Sequence, residues 1–349
     1  MSRVLITAVV ASYNEERHIG ECIRGLLRQR DIDGEIEIIV VDGGSRDRTV
    51  EIVRGFPEFG DRIRLFENPG RLQVYAWNIG IREAKGKFVT LISAHTEYSE
   101  TYLRSCLEAQ RRTGAANVGG VQVAVGDGAV GNVIAWAMQS PFGIGNGSFR
   151  YGRKAAYVDH VFTFFAEKAT LDSIGEFDEA FAVNEDCEFN YRVRKAGYRI
   201  YCSPDIRVRY HARASIPALA RQMYRYGFWR RRTQLVHPEY VPRRVYGPPL
   251  LVAGLIGSAL LLVAHQAWLA AIIPSAYAAF LAVGAVSGLV KTRSLVALAL
   301  APVVLCAMHL SYGIGWWRGF FTHRKSRIAT APALASRGSK GPIGVPFGT

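Results

Sequence analysis

Arg3-Val4-Leu5-Ile6-Thr7-Ala8-Val9-Val10-Ala11 runs straight into Ser12-Tyr13-Asn14-Glu15-Glu16, an apolar, β-branched stretch that stops on a polar cluster. Ile19, Cys22, Ile23, Leu26 and Leu27 follow at i, i+3, i+4, i+7, i+8, the spacing of a helix with one apolar face. The strand pattern returns at Glu35–Val41 and ends on Asp42-Gly43-Gly44-Ser45. Further strand-like runs are Arg62–Phe66 and Lys87–Ile92, the latter ending on Ser93-Ala94-His95. Helical patterns fill the gaps, at Leu72–Ala84 with Gly86 behind it and at about Ser99–Thr113. Strand and helix in this alternation predict parallel strands with helices on both faces. Such sheets bind ligands beyond the carboxyl ends of their strands. Three polar clusters at three strand ends therefore predict a site.

Arg3 ahead of an apolar run has the outline of a secretory leader, but the run is short and a helix pattern opens at once after Tyr13. It reads as a buried first strand.

The 349 residues carry a net charge of +14, distributed unevenly. Residues 1–211 hold 27 basic and 28 acidic side chains, whereas 212–244 hold eight Arg against Glu239 alone, and no acidic residue follows Glu239. A nucleic-acid-binding protein carries its positive field on the folded domain that meets the phosphates. Here that domain is nearly neutral, which excludes a nucleic-acid partner as the reason for the basic balance. The cysteines Cys22, Cys106, Cys187, Cys202 and Cys306 are odd in number and form no CxxC pair, against a disulfide framework and consistent with a reducing compartment.

From Pro248 the composition changes. Pro248–Ala264, Ala267–Val290 and Leu295–Trp317 are apolar and lack acidic residues, each near the roughly 20 residues that span a bilayer. Tyr312, Trp316 and Trp317 suit an interfacial belt. The Arg-rich segment before the first stretch and Lys291/Arg293 between the second and third both favour the cytoplasm. Three spans would then put Arg318, Arg324, Lys325 and Arg327 outside, against the rule; a re-entrant stretch or an outvoted tail would each account for it. Ser215–Thr233, with Ile216, Leu219, Met223 and Tyr226 at helical spacing and Arg221, Arg225 and Arg230-Arg231-Arg232 among them, reads as an amphipathic helix in the membrane interface. A core helix with a solvated basic face is the plainer alternative. Beyond Thr330 the composition is that of a disordered tail.

Several residues carry chemistry. Glu185-Asp186 open a helix pattern behind Asn184, a candidate N-cap, and Gly197 ends it. Two acids there either complement the helix dipole or include an ionised base; local sequence does not choose. Asp42 at a strand end either accepts from a ligand N–H or forms the turn, with Asp47 the better cap for Thr49–Val53. Gly143, Gly145 and Gly147 lack the strand-before, helix-after context of a dinucleotide loop and read as a mobile loop. His95 and His211 are the candidate metal ligands, a widely separated pair; a diphosphate-bound ion needs few protein ligands.

In order, Val9–Glu16, Val40–Thr49, Asn68–Gly86 and Gly175–Asp186 resemble the motifs of family-2 glycosyltransferases, over about residues 4–232. The glycine-rich segment near Phe142–Arg150, the stretch with Arg213, Gln222 and Tyr226-Gly227 and the apolar C-terminus resemble the succinoglycan ExoA-type branch that builds bacterial exopolysaccharide. The resemblance implies a GT-A α/β domain over 1–211, with a mostly parallel nucleotide-sugar-binding sheet. An interfacial basic helix and linker would occupy 212–247, about three transmembrane helices 248–320, and a basic tail 321–349. It implies an inverting hexosyltransferase in which Asp186 is the general base. Tyr13, Glu15, Asp42, Ser93 and Ala94 would bind the nucleotide sugar; Glu185, Gln222 and Arg225 would line the acceptor or diphosphate side.

The implied partners are a UDP-sugar, a polyprenyl-diphosphate-linked saccharide and membrane lipid, and the implied location is the cytoplasmic face of a bacterial inner membrane, with a multi-pass anchor. The implied cofactor is Mg²⁺ or Mn²⁺, held by His95 with help from His211. The family's Asp-x-Asp metal motif, often Asp-Ala-His in this branch, reads Ser93-Ala94-His95 here, so one carboxylate is missing and weak metal affinity is expected. That departure motivates an alternative, a silent nucleotide-sugar-binding scaffold. A processive synthase is a further alternative, but the helix after the domain reads Gln222-Met223-Tyr224-Arg225-Tyr226 in place of the Gln-x-x-Arg-Trp expected there.

Overall fold

The computed structural model describes residues 4–145, 154–239 and 243–322, the Arg244 side chain excepted. The expected tail and Gly147 lie outside the described residues.

The first half follows the predicted alternation: β1 (Val4–Ser12), α1 (Ile19–Leu27), β2 (Glu35–Asp42), α2 (Thr49–Arg54), β3 (Ile63–Glu67), α3 (Gln73–Glu83) and β4 (Phe88–Ser93). β3, β2, β1 and β4 are adjacent and parallel, and Ser12 pairs with Asp42 while Ala11 pairs with Ser93. The three polar clusters therefore end at one level. Side chains alternate between faces along a strand. Ile6, Ala8 and Val10 join Ile38 and Val40 under Ile19, Ile23 and Leu26 of α1. Val9, Ile39 and Val41 turn the other way, onto Val74, Trp77 and Ile81 of α3.

Beyond β4 the sheet is mixed. β5 (Thr96–Tyr98), α4 (Tyr102–Thr113), β6 (Asn117–Val125), α5 (Gly128–Met138), α6 (Pro141–Ile144), β7 (Ala156–Val158), β8 (Phe164–Glu167), α7 (Lys168–Ile174), α8 (Glu185–Lys195) and β9 (Ile200–His211) complete the domain. The order is β3-β2-β1-β4-β8-β6-β9-β5, with β7 also on β9. β8 runs antiparallel to both β4 and β6, and β5 antiparallel to β9. β6 and β9 pair parallel, so the sheet is mostly parallel as predicted, and the antiparallel pairings are those made by β8, β5 and β7. The expected glycine-rich loop begins as the short helix α6, with Ser140 accepting from the Phe142 N–H, and then turns at Gly145 with φ +71°.

α9 (Ile216–Val236) is the predicted amphipathic helix, capped by the Ser215 hydroxyl at the Ala218 N–H. A 3₁₀ turn (Arg243–Tyr246) leads to α10 (Gly247–Val263), α11 (Ala267–Ala270), α12 (Ile272–Thr292) and α13 (Leu295–Thr322). Two stretches, Ala267–Thr292 and Leu295–Thr322, are long and apolar enough to cross a membrane. The first of the three expected spans falls short: α10 is an apolar helix of 17 residues. Leu219 and Met223 of α9, Ile134 and Met138 of α5, and Val304, Leu305 and Met308 of α13 share one buried cluster. Burying each such side chain contributes about 1.5–3 kcal/mol, so α9 is clamped between the sheet domain and the last helix along this face.

Candidate active site

The strand tips are organised by Asp42. Its carboxylate accepts from the Gly44 and Ser45 N–H groups at 2.9 and 2.8 Å and from the Ser12 and Ser45 hydroxyls at 3.0 and 2.6 Å. The side chain is buried, and its local work is that of the turn-forming residue. Asp47 accepts from the Thr49 N–H and hydroxyl, but the N-cap position of α2 falls on Arg48, so the expected cap is displaced to a contact one residue outside it. Asn14 adopts φ +55° and joins the two tips, with its N–H on the Ser45 hydroxyl and its Oδ1 receiving the Arg46 N–H. This leaves the Tyr13 ring 46% exposed and lying against Gly43, where a Cβ would come within 3.3 Å of it. A flat exposed ring beside a buried carboxylate can stack on a planar base.

At the tip of β4, His95 contacts Glu15 through Nδ1 at 3.1 Å and the Ser93 hydroxyl through Nε2 at 3.2 Å. Ala94 between them is buried. His211 contacts Glu97 at 3.5 Å. It follows Tyr210, which pairs with Thr96, so the antiparallel β5–β9 register brings His95 and His211 to the same end of that strand pair while their side chains contact different acids. Ser93, His95 and Glu15 form a hydroxyl–imidazole–carboxylate set. Such a set fits an oxygen-seeking divalent ion that takes its remaining ligands from phosphate and water.

Glu185 and Asp186 stand at the start of α8, across a cavity of about 960 Å³ whose wall also includes Ser93, His95, Gln222 and Arg225. Tyr13, Glu15, Asp42, Ala94 and His211 are not part of that wall; of these, Glu15 touches a wall residue, through its contact with His95. The expected N-cap role of Asn184 is corrected: the residue is left-handed, at φ +65°, and its side chain caps nothing. Instead its Nδ2 donates to the Tyr226 carbonyl at 3.3 Å and its Oδ1 receives Arg230 Nη2 at 3.3 Å, so α9 fastens the start of α8. The predicted stop at Gly197 is present, at φ +85°.

The two adjacent acids differ. Burial pushes Glu185 up to about 8, reinforced by the charge of Asp186 and opposed by Arg225. Burial alone would raise Asp186 too, but His160 and the Cys187 N–H outweigh it and hold that carboxyl below its usual range. Asp186 stays ionised while its neighbour keeps a proton more readily, the separation expected of groups with different tasks.

His160 is the residue that sequence reasoning missed. It lies 3.4 Å from Asp186 Oδ2 through Nε2, nearly buried, and nothing in Val158-Asp159-His160-Val161 marks it. Among the described residues, His160, Asp186 and Cys187 are the one His/Cys/acid group close enough to share an ion, with ligand-type atoms within 4.8 Å. Arg230 Nη2, however, sits 3.2 Å from the Cys187 sulfur, which fits a hydrogen-bonded group better than a metal centre.

Gln222 donates through Nε2 to the Tyr210 and Tyr226 hydroxyls at 3.0 and 3.1 Å, while its buried Oε1 has no hydrogen-bond partner among the described residues. Trp77 Nε1 is likewise buried without one, and Trp77 also lines the cavity. A buried polar atom left so costs about 1–3 kcal/mol, and a ligand hydroxyl at Gln222 would relieve it. Opposite the acids the wall is apolar and aromatic, with Phe142, Leu251, Tyr277, Phe280, Met308 and Tyr312.

Strand-tip polar groups and an ionised acid at a helix start thus line one cavity of an α/β domain, and similarity to known proteins supplies the class. The model described as Glycosyl transferase family 2 matches residues 7–171. Over 324 residues the chain is 31% identical to the succinoglycan biosynthesis protein ExoA of Rhizobium meliloti (strain 1021), covering 92% of this chain and 96% of that protein. The chain belongs to glycosyltransferase family 2 and is a glycosyltransferase of glycan or exopolysaccharide synthesis.

It is also 27% identical, over 64% of its length and 71% of the other, to a Methanococcus voltae protein. That protein is named dolichyl N-acetyl-alpha-D-glucosaminyl phosphate 3-beta-D-2,3-diacetamido-2,3-dideoxy-beta-D-glucuronosyltransferase. Among solved structures, the mannosyltransferase PcManGT from Pyrobaculum calidifontis, in complex with GDP-Man and Mn²⁺, shares the fold, with a TM-score of 0.58 at 17% identity over 92% of this chain and 88% of that one.

Proposed function

We propose that the protein is an inverting hexosyltransferase that moves a sugar from a UDP-sugar to a lipid-linked saccharide at the cytoplasmic face of a bacterial inner membrane. One observation carries the reading: a single cavity is lined together by the ionised Asp186, by the strand-tip residues Ser93 and His95, and by apolar and aromatic residues of the C-terminal helices, among them Leu251, Phe280 and Met308. A saccharide on a polyprenyl diphosphate has the matching polarity, apolar at one end and polar at the other.

In this reading Tyr13 stacks on the uracil, Asp42 accepts from its N–H, and Glu15 contacts the ribose, with Ser93 and Ala94 beside the donor sugar. Asp186 takes the proton of the acceptor hydroxyl as that oxygen forms its bond to C1 of the sugar. The C1–O bond to the diphosphate breaks with its electron pair leaving on UDP, and a single in-line displacement inverts the anomeric centre. Gln222 and Arg225 line the acceptor or diphosphate side, with Glu185 between Arg225 and the base. His95, Ser93 and Glu15 would hold Mg²⁺ or Mn²⁺ together with the diphosphate; His211, facing Glu97, contributes less. Bound there, the ion would offset charge developing on the leaving group. The division into a domain over 1–211, a basic helix and linker over 212–247 and membrane helices over 248–320 belongs to the same reading, as does a multi-pass anchor. The Arg residues of α9 suit anionic headgroups and the acceptor diphosphate.

Release of UDP by the purified protein, with a panel of UDP-sugars, lipid-linked saccharide extract and Mn²⁺, tests the reading. Equal release from wild type and Asp186→Asn would remove the catalytic assignment. Binding of UDP with no turnover across the panel would favour the silent scaffold that Ser93 suggests.

A further inference from the structure

Behind Asp186 runs a chain of buried side chains whose hydrogen-bond directions are set from both ends. The backbone N–H of Phe165, which can only donate, reaches Asn117 Oδ1 at 3.2 Å. Asn117 therefore turns its Nδ2 to Asn190 Oδ1, at 2.8 Å. From the other side the Val161 carbonyl, which can only accept, receives Asn190 Nδ2 at 3.2 Å. Both anchors give the Asn190 amide the same orientation, and it points an N–H at His160 Nδ1 from 2.9 Å. Asn117 and Asn190 are almost completely buried, so no solvent competes for these groups.

We infer that His160 is a positioning residue for the base, locked by the Asn117–Asn190 amides into the form that carries its proton on Nε2 and presents it to Asp186. The inference rests on Asp186 being that base. A ring nitrogen that faces an amide N–H is held as an acceptor, which puts the single proton of neutral imidazole on the other nitrogen. Nε2 lies 3.4 Å from Asp186 Oδ2 and 3.7 Å from the Cys187 sulfur, so its N–H is shared between the two, while Oδ1 takes the Cys187 N–H at 2.7 Å. Held at both oxygens, the carboxylate keeps one orientation toward the cavity and retains lone pairs for an incoming hydroxyl.

Burial disfavours a charged ring, whereas Cys187 and Asp186 favour one and would lift His160 to about 10, a charged ring at neutral pH. The Asn190 N–H facing Nδ1 at 2.9 Å opposes that second proton, and on this geometry the inference rests. A second proton on Nδ1 would meet the Asn190 N–H head-on, and this is what the amide chain resists. Among the described residues, the charged and titratable groups around the pair include Glu185 and Cys187 from α8 and Arg225 and Arg230 from α9. An imidazolium would turn the base into half of an ion pair and weaken it; the amide lock keeps it available.

The test uses the full-length protein in lipid nanodiscs with [¹⁵N]histidine. The His160 signal is identified as the one missing from His160→Gln. The inference expects that signal to report a ring protonated on Nε2 alone at neutral pH, and a doubly protonated ring in Asn190→Asp, where a carboxylate faces Nδ1. A wild-type ring protonated on Nδ1, or on both nitrogens, overturns it.

Turnover of UDP-glucose with membrane lipid extract separates the two levels of the argument. His160→Ala is expected to lower kcat about ten- to a hundredfold at unchanged donor KM. It should also move the acid limb of the kcat–pH profile to higher pH, because Asp186 loses the contact that holds it down. His160→Gln, whose amide can still donate, should recover part of the rate. Full activity in His160→Ala and Asn190→Asp, with Asp186→Asn inactive, ends this inference and leaves the base in place. Full activity in Asp186→Asn ends both.

Discussion

Gly227 of α9 lies so close to Tyr312 of α13 that a Cβ at position 227 would overlap the Tyr312 carbonyl oxygen. Gly315 meets the Tyr224 carbonyl in the same way, so two glycines, one from each helix, let the backbones touch where they cross. One turn from Gly227, Arg230 and the Tyr226 carbonyl hold Asn184 at the start of α8. The crossing therefore ties an apolar C-terminal helix to the helix that carries Asp186.

Gly227→Ala is expected to lower both the thermal stability and the activity of the solubilised protein. Overpacking a tight contact costs about 1–3 kcal/mol, and here the strain falls on the element that positions the acids. Gly257→Ala in α10, where a Cβ meets nothing within 4 Å, is the matched control and should leave melting temperature and rate unchanged. Equal behaviour of the two variants would show that the crossing tolerates separation.

Asp186→Asn should reduce kcat about 10²- to 10⁴-fold, the range associated with loss of proton transfer to a positioned base. Donor binding and the circular-dichroism spectrum should stay as in wild type, because the change is isosteric and the Cys187 N–H still finds an oxygen at Oδ1; the disturbance is local, with the new Nδ2 facing His160 Nε2 in place of an acceptor.

Glu185 makes stability depend on pH. Its folded value of about 8 lies above the ordinary 4.5, so the folded state binds the proton more tightly than the unfolded chain. The resulting stabilisation is complete below about pH 4.5 and is lost as pH rises through 8. Glu185→Gln, which cannot ionise, should melt progressively higher than wild type between pH 5 and 8, an interval inside that window. A constant difference in melting temperature across this range would contradict the burial-driven shift.

Ser93→Asp restores a carboxylate beside His95 and should lower the Mn²⁺ concentration for half-maximal activity by about tenfold, since one added charge strengthens an oxygen-ligand site. Titration of the two proteins with Mn²⁺ under the same donor concentration measures it. An unchanged requirement would place the ion elsewhere.

Gln222→Leu should raise the KM for the acceptor about tenfold through loss of a hydrogen bond to a sugar hydroxyl, with donor binding little affected. Steady-state kinetics with varied acceptor extract checks this. A change confined to donor KM would reassign Gln222 to the diphosphate.

The strand–helix alternation from Val4 to Ser93 was legible because local pattern and burial agree there: β1, β2 and β4 are buried on both faces, β3 at the edge is only partly buried, and α1 carries one apolar stripe. The mixed second half was less legible. Strand direction depends on which neighbour a segment meets, and β8 finds β4 and β6 across long separations in sequence. The apolar C-terminal stretches were visible by composition, but helix length separated α10 from the two stretches long enough to cross a membrane.

The site divides in the same way. The sequence alone determined that polar clusters end three neighbouring strands and that two acids open a helix, since these are properties of short segments. Only the tertiary structure decided that Glu185 and Asp186 would titrate apart, that Asn184 would be held by α9 rather than cap α8, and that His95 and His211 would face different acids. His160, Asn117 and Asn190 lie up to 73 residues apart, on different elements, with no local pattern between them. Their common direction comes from backbone groups that can only donate or only accept, and such constraints exist only once the chain has folded around them.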